Sequence, residues 1–141
     1  MSIYENSPTE AIEFLFVYGT LRKPIASGMH PMLGSDCVYF SDGVMQGKLY
    51  EVCGYPGVIQ SNCANDKVFG ELYKLLDRDR VLARLDEYEE CSGGYPKPHE
   101  YIRKQLSIEL IGGQAVVAWV YLYNRDVSKL AQILSGDYFG G

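Results

Sequence analysis

Strand-length apolar runs, each cut short by glycine or proline, set the terms on which this chain of 141 residues folds. Phe14–Tyr18 is apolar throughout and stops at Gly19, the pattern of a short strand buried on both faces. Val44–Val52 and Val68–Leu75 read as further strands; in the second, Val68, Gly70, Leu72 and Lys74 alternate against Phe69, Glu71, Tyr73 and Leu75. Gly54-Tyr55-Pro56-Gly57 reads as a turn. Tyr101–Leu110 and Ala115–Tyr123 read as two strands joined by the hairpin-like Gly112-Gly113.

One segment reads as a helix of ordinary length. Asp77 suits an N-cap, Arg78–Glu90 holds no glycine or proline, and Cys91-Ser92-Gly93-Gly94 supplies the stop. Pro24, Gly28, Pro31 and Gly34 leave room for one short helix at most, and Val127–Leu134 reads as a last short one. These elements add up to an α+β domain, a curled sheet or small mixed β-barrel flanked by two or three helices. The expected organisation is a loose arm over 1–12 and a single domain over 13–141.

The 47% hydrophobic content suffices for a real core, and 22% charged residues argue against disorder. Thirteen Lys and Arg against 18 Asp and Glu give a formal charge of −5. Arg78, Arg80 and Arg84 lie among acids, so no basic stripe forms and no nucleic-acid partner is expected. No run approaches the ~20 apolar residues that span a bilayer. With the polar start Met1–Glu10, the expectation is a cytoplasmic protein with no membrane partner. Cys37, Cys53, Cys63 and Cys91 form no C-x-x-C pair and are distant in sequence from His30 and His99, so reduced thiols are expected rather than a zinc site.

Three features bear chemistry. On the helix, Glu89 follows Leu82 by seven residues and Leu85 by four, so at about 100° per residue it projects between them onto the apolar face. Partial burial and the negative end of the helix dipole would both raise its pKa, with a smaller push from its acidic neighbours. A carboxyl so tuned suits acid–base work near neutral pH. A helix-end glutamate frayed into solvent fits the same position. The second feature is the turn at Gly19-Thr20, where a buried strand ends and consecutive backbone N–H groups are able to face an anion; an ordinary strand-ending turn reads the same way. The third is the 12 Tyr against 5 Phe, many phenols that need partners when buried, whether around a pocket or at the rim of the core.

In order along the chain, Val17-Tyr18-Gly19-Thr20-Leu21-Arg22, Tyr55-Pro56-Gly57-Val58, Gly70-Glu71-Leu72-Tyr73, Leu85-Asp86-Glu87-Tyr88-Glu89, Tyr101-Ile102-Arg103 and Trp119-Val120-Tyr121 resemble the γ-glutamylcyclotransferase-like (AIG2-like) family. The ending Ser135-Gly136-Asp137-Tyr138 is similar to a tail of bacterial members, so the likeness runs from about Phe14 to Tyr138. The resemblance implies a small β-barrel with helices and a Tyr18-Gly19-Thr20-Leu21 turn that grips substrate. It implies Glu89 as the acid–base residue, the one the helix projection selects, and Tyr55, Tyr101 and Tyr138 as pocket aromatics. It further implies a small-molecule γ-glutamyl substrate, cleaved without metal or organic cofactor by attack of the substrate's own α-amine to release 5-oxoproline. Two alternatives stay open: a non-catalytic binding protein for a small acidic metabolite, and a cysteine hydrolase using His99 or His30.

Overall fold

In a computed structural model, described over residues 13–19, 37–89 and 99–138, the chain builds strands β1 (Phe14–Val17), β2 (Cys37–Glu51), β3 (Pro56–Gln60) and β4 (Lys67–Leu75). Helix α1 (Arg78–Tyr88) and strands β5 (Tyr101–Leu110), β6 (Ala115–Tyr123) and β7 (Ala131–Gln132) follow. The order β2-β4-β1-β6-β5 closes on itself, because β5 returns to β2 at Gly43 and Val44. β1 runs antiparallel to β4 and parallel to β6, so the five-stranded barrel is mixed.

β1 is apolar on both faces because each face has a core of its own. Phe16 and Tyr18 point into the barrel with Met45, Leu49, Val58, Leu72, Ile108, Val120 and Leu122. Leu15 and Val17 turn outward and pack, with Tyr73 and Leu75 of β4, beneath Val81, Leu82 and Leu85 of α1. Two-sided burial is what a continuous apolar run in a strand predicts. The switch along β4 follows from it: Val68 and Leu72 fill the barrel, and Tyr73 and Leu75 serve the helix.

β5, β6 and their turn match the expected bounds. β2 is far longer than Val44–Val52. Its first half pairs with β4 around a bulge between Tyr39 and Ser41, and its second half pairs with β3. The turn expected at Gly54–Gly57 occupies only Cys53–Tyr55, closed by the Val52 N–H on the Tyr55 carbonyl at 2.8 Å; Pro56 and Gly57 already belong to β3.

The helix expected over Val127–Leu134 does not form. Asp126 accepts from the Ser128 backbone and hydroxyl, a single turn closes from Leu130 N–H to the Val127 carbonyl, and β7 then pairs with Tyr50 and Glu51 of β2. Eight residues are too few to hold a helix alone, whereas the edge of β2 offers backbone partners. Among the described residues α1 is therefore the one α-helix, and no helix is long and apolar enough to cross a membrane. The short helix allowed around Pro24–Gly34 and the glycine stop after Glu90 lie outside the described residues.

Candidate active site

Asp77 starts α1 as its N-cap, with its side chain accepting from the Arg80 N–H, and the buried stripe Val81-Leu82-Leu85 lays the helix on the barrel. Glu89 closes the helix: its N–H donates to the Leu85 carbonyl at 2.8 Å. No basic residue stands in the last turn to offset the negative end of the dipole. Glu89 is partly buried, whereas Glu87 on the same turn is exposed. Burial foremost, and then the charge of Glu100, push the Glu89 carboxyl up to about 7.

Three tyrosines surround this end of the barrel. Tyr18, just past β1, donates its hydroxyl to the Tyr121 carbonyl at 2.6 Å, and burial together with the nearby Glu89 charge raises its phenol. Tyr101, the first residue of β5, donates to the Pro56 carbonyl at 2.6 Å; burial, Tyr18 and Glu89 hold it far above its ordinary value. Tyr55 donates to Glu100 Oε2 at 2.5 Å, and that bond is the main cause of a phenol pushed up to about 12. The Tyr55 and Tyr101 rings are 6.4 Å apart, and Tyr123 meets Tyr101 edge-on at 5.5 Å. The Tyr18, Tyr55 and Tyr101 phenols are thus all raised and stay protonated at neutral pH, whereas the Glu89 carboxyl is pushed into the neutral range.

Gly19 is buried against Pro56: a Cβ on it would stand 2.3 Å from Pro56 Cγ. Its φ is not in the left-handed region, so close approach to the Tyr55-Pro56 turn, rather than a special backbone conformation, calls for glycine. The anion-facing turn expected at Gly19-Thr20 has only its first residue in view, since Thr20 and Leu21 lie outside the described residues.

The structure therefore gathers Tyr18, Gly19, Tyr55 and Tyr101 with Glu89. Tyr138 is set elsewhere, beside Glu51, with which it hydrogen-bonds, on an open cavity of about 720 Å³ that Gln132, Ile133 and Ser135 also line. Glu51 is the ladder partner of Pro56, so this tail is linked to the Tyr55-Pro56 turn through one strand pair. Glu100 and Tyr123 joined the site without any sequence reason to single them out; only the adjacency of Glu100 to Tyr101 hinted at it. Among the described residues no group of three or more His, Cys, Asp or Glu is arranged to hold a metal ion.

Comparison with known proteins places these observations. The sequence pattern described as "Gamma-glutamyl cyclotransferase, AIG2-like" matches residues 15–140. The protein MJ1514 of Methanocaldococcus jannaschii is 33% identical over 131 residues, 90% of this chain and 96% of its own. The gamma-glutamylcyclotransferase family protein YtfP of Escherichia coli is 31% identical over 125 residues, 88% of this chain and 94% of its own. The crystal structure of a mouse AIG2-like protein superposes with a TM-score of 0.68 at 21% identity, covering 90% of this chain and 88% of that one, which speaks for a shared fold.

Proposed function

The chain belongs to the γ-glutamylcyclotransferase, AIG2-like family, and on that premise we propose that it cleaves a γ-glutamyl amide by intramolecular attack, releasing 5-oxoproline and a free amine. The observation that carries this reading is the placement of one carboxyl, Glu89, at the end of α1 beside Tyr18, Tyr101 and Glu100, where burial raises it.

Such a substrate brings its own nucleophile. Ionised Glu89 takes a proton from the α-ammonium, and the freed amine attacks the γ-carbonyl to form the new C–N bond of the five-membered ring. The old amide C–N bond then breaks as Glu89 returns its proton to the leaving nitrogen. The second proton, which the attacking nitrogen sheds on becoming the lactam N–H, also passes to the amine, which departs as an ammonium ion while Glu89 ends ionised as it began. Much of the acceleration comes from holding the chain curled, with amine and carbonyl in contact. Backbone N–H groups of the Tyr18-Gly19-Thr20-Leu21 turn, of which Tyr18 and Gly19 are buried just past β1, are proposed to receive the substrate's carboxylate or amide oxygen. Tyr55 and Tyr101, ahead of β3 and at the start of β5, are proposed to contact the substrate.

The test is mass spectrometry for 5-oxoproline across a panel of γ-glutamyl compounds. Glu89→Gln keeps the shape and carries no transferable carboxyl proton, so its turnover is expected to fall by a factor on the order of 10²–10⁴ relative to wild type. A folded Gln variant as fast as wild type removes Glu89 from the mechanism. Binding without product from wild type favours a non-catalytic receptor for a small acidic metabolite.

A further inference from the structure

Asp86 stands three residues before Glu89 on α1, close to one helical turn. Its Oδ1 accepts from Arg103 Nε at 2.9 Å and its Oδ2 from Arg103 Nη2 at 3.1 Å, a two-pronged pairing that fixes the carboxylate plane. The Tyr121 hydroxyl adds a third bond to Oδ1 at 2.6 Å, and the Arg103 guanidinium lies 4.6 Å from the centre of the Trp119 ring. The Arg103 and Asp86 side chains are only 26% and 19% exposed, which separates this pair from surface ion pairs of negligible worth.

The clamp joins α1 to β5 and β6, the two strands that carry Tyr101 and Tyr123. Arg103 and Tyr121 are direct partners in the β5–β6 ladder. While the Tyr121 hydroxyl holds the helix, its backbone carbonyl holds the Tyr18 hydroxyl. A helix of 11 residues is marginal alone, and its last turn frays first. Tying Asp86 to the sheet fixes the rotation of that turn about the helix axis, and with it the direction in which Glu89 leaves the helix.

We infer that Asp86, clamped by Arg103 and Tyr121, is a positioning residue that holds the last turn of α1 so that the Glu89 carboxyl stays beside Tyr18 and Tyr101; the inference rests on the reading of Glu89 as proton carrier. The groups facing Glu89 are Tyr18 just past β1, Glu100 just ahead of β5, Tyr101 at its start and, through Glu100, Tyr55 ahead of β3. Substituting the clamp leaves all four in place, so a change in the Glu89 titration that also occurs in a variant keeping the Asp86 charge reports movement of that carboxyl.

The experiment compares wild type with Asp86→Asn, Tyr121→Phe and Asp77→Ala. Its readouts are 5-oxoproline kinetics and an NMR titration of carboxyl carbons, with the Glu89 resonance identified by its loss in Glu89→Gln. Asp86→Asn is expected to lower kcat about 10–100-fold while KM stays within about twofold, and to move the Glu89 titration down toward the ordinary carboxylate range as water reaches it. Tyr121→Phe keeps the Asp86 charge and is expected to shift both readouts the same way by less, which separates release of the clamp from simple removal of a charge. Asp77→Ala, which weakens the far end of the same helix, is expected to lower the melting temperature with kcat and the titration unchanged. An unchanged kcat and Glu89 titration in folded Asp86→Asn and Tyr121→Phe overturns the clamp, and should the first not fold, the second decides. If wild type yields no product, the γ-glutamyl reading fails by itself and the titration still judges the positioning role.

Discussion

Glu89 draws its chemistry from what surrounds it. A carboxyl at about 7 is half ionised at neutral pH, so it takes and returns a proton with little driving force lost in either direction. In the proposed reaction Glu89 is the base that must be ionised at the start, which would set the acid limb of the pH dependence: kcat/KM for 5-oxoproline release is expected to rise with pH through about 7. A limb near the ordinary carboxylate value would place the working group elsewhere. Gly19 poses the opposite problem, one of space. Gly19→Ala drives a methyl group to 2.3 Å from Pro56 Cγ, and Pro56 carries the carbonyl that holds Tyr101. Overpacking of this kind costs about 1–3 kcal/mol, and displacing Pro56 also disturbs the hydrogen bond that places the Tyr101 ring. Denaturant melts and ligand titration of the same variant check the two effects separately; unchanged stability would mean that the Pro56 ring yields without strain.

At the scale of elements, the sequence announced what local chemistry dictates. α1 was legible from Asp77, the apolar stripe and the absence of glycine and proline, and so was the inward aim of Glu89. The β5–β6 hairpin was legible from its length and its glycine turn. The first half of β2 was hidden because Ser41-Asp42-Gly43 looks like a turn, yet it passes a bulge and the seam where β2 meets β5. β7 was hidden because pairing with β2 is a tertiary contact that no local pattern encodes. The same tail yields a prediction. Gly136 has φ +74, its carbonyl accepts from the Phe69 N–H at 2.8 Å, and a Cβ there would meet the Lys67 carbonyl oxygen. Gly136→Ala is therefore expected to unlatch the tail from β4 and destabilise the fold by about 1–3 kcal/mol. Hydrogen exchange at the Phe69 amide reads this directly, and an amide as protected as in wild type would refute the latch.

Over the whole molecule, closing the barrel gathers residues that the sequence keeps far apart. Tyr18 and Tyr121 differ by 103 positions and share a hydrogen bond, and Tyr101 and Pro56 differ by 45. The barrel can hold Glu89 in so apolar a place only at a cost to stability, and the sign of that cost is fixed. The folded pKa of about 7 lies above the ordinary 4.5, so between those values the folded chain keeps a proton that the unfolded chain has released. The stabilisation that Glu89 contributes is complete below about 4.5 and is lost as pH rises through about 7. Glu89→Gln does not titrate, so it should match this change only at low pH: relative to its difference from wild type near pH 4, it is expected to gain about 1–3 kcal/mol by pH 8, after discounting for partial solvent screening. Melting temperatures of the two proteins measured in parallel from pH 4 to 8 isolate this one carboxyl, because every other titrating group is common to both. Parallel curves would mean that Glu89 ionises as freely as in water, and the site would lose the property that suits it to carry protons.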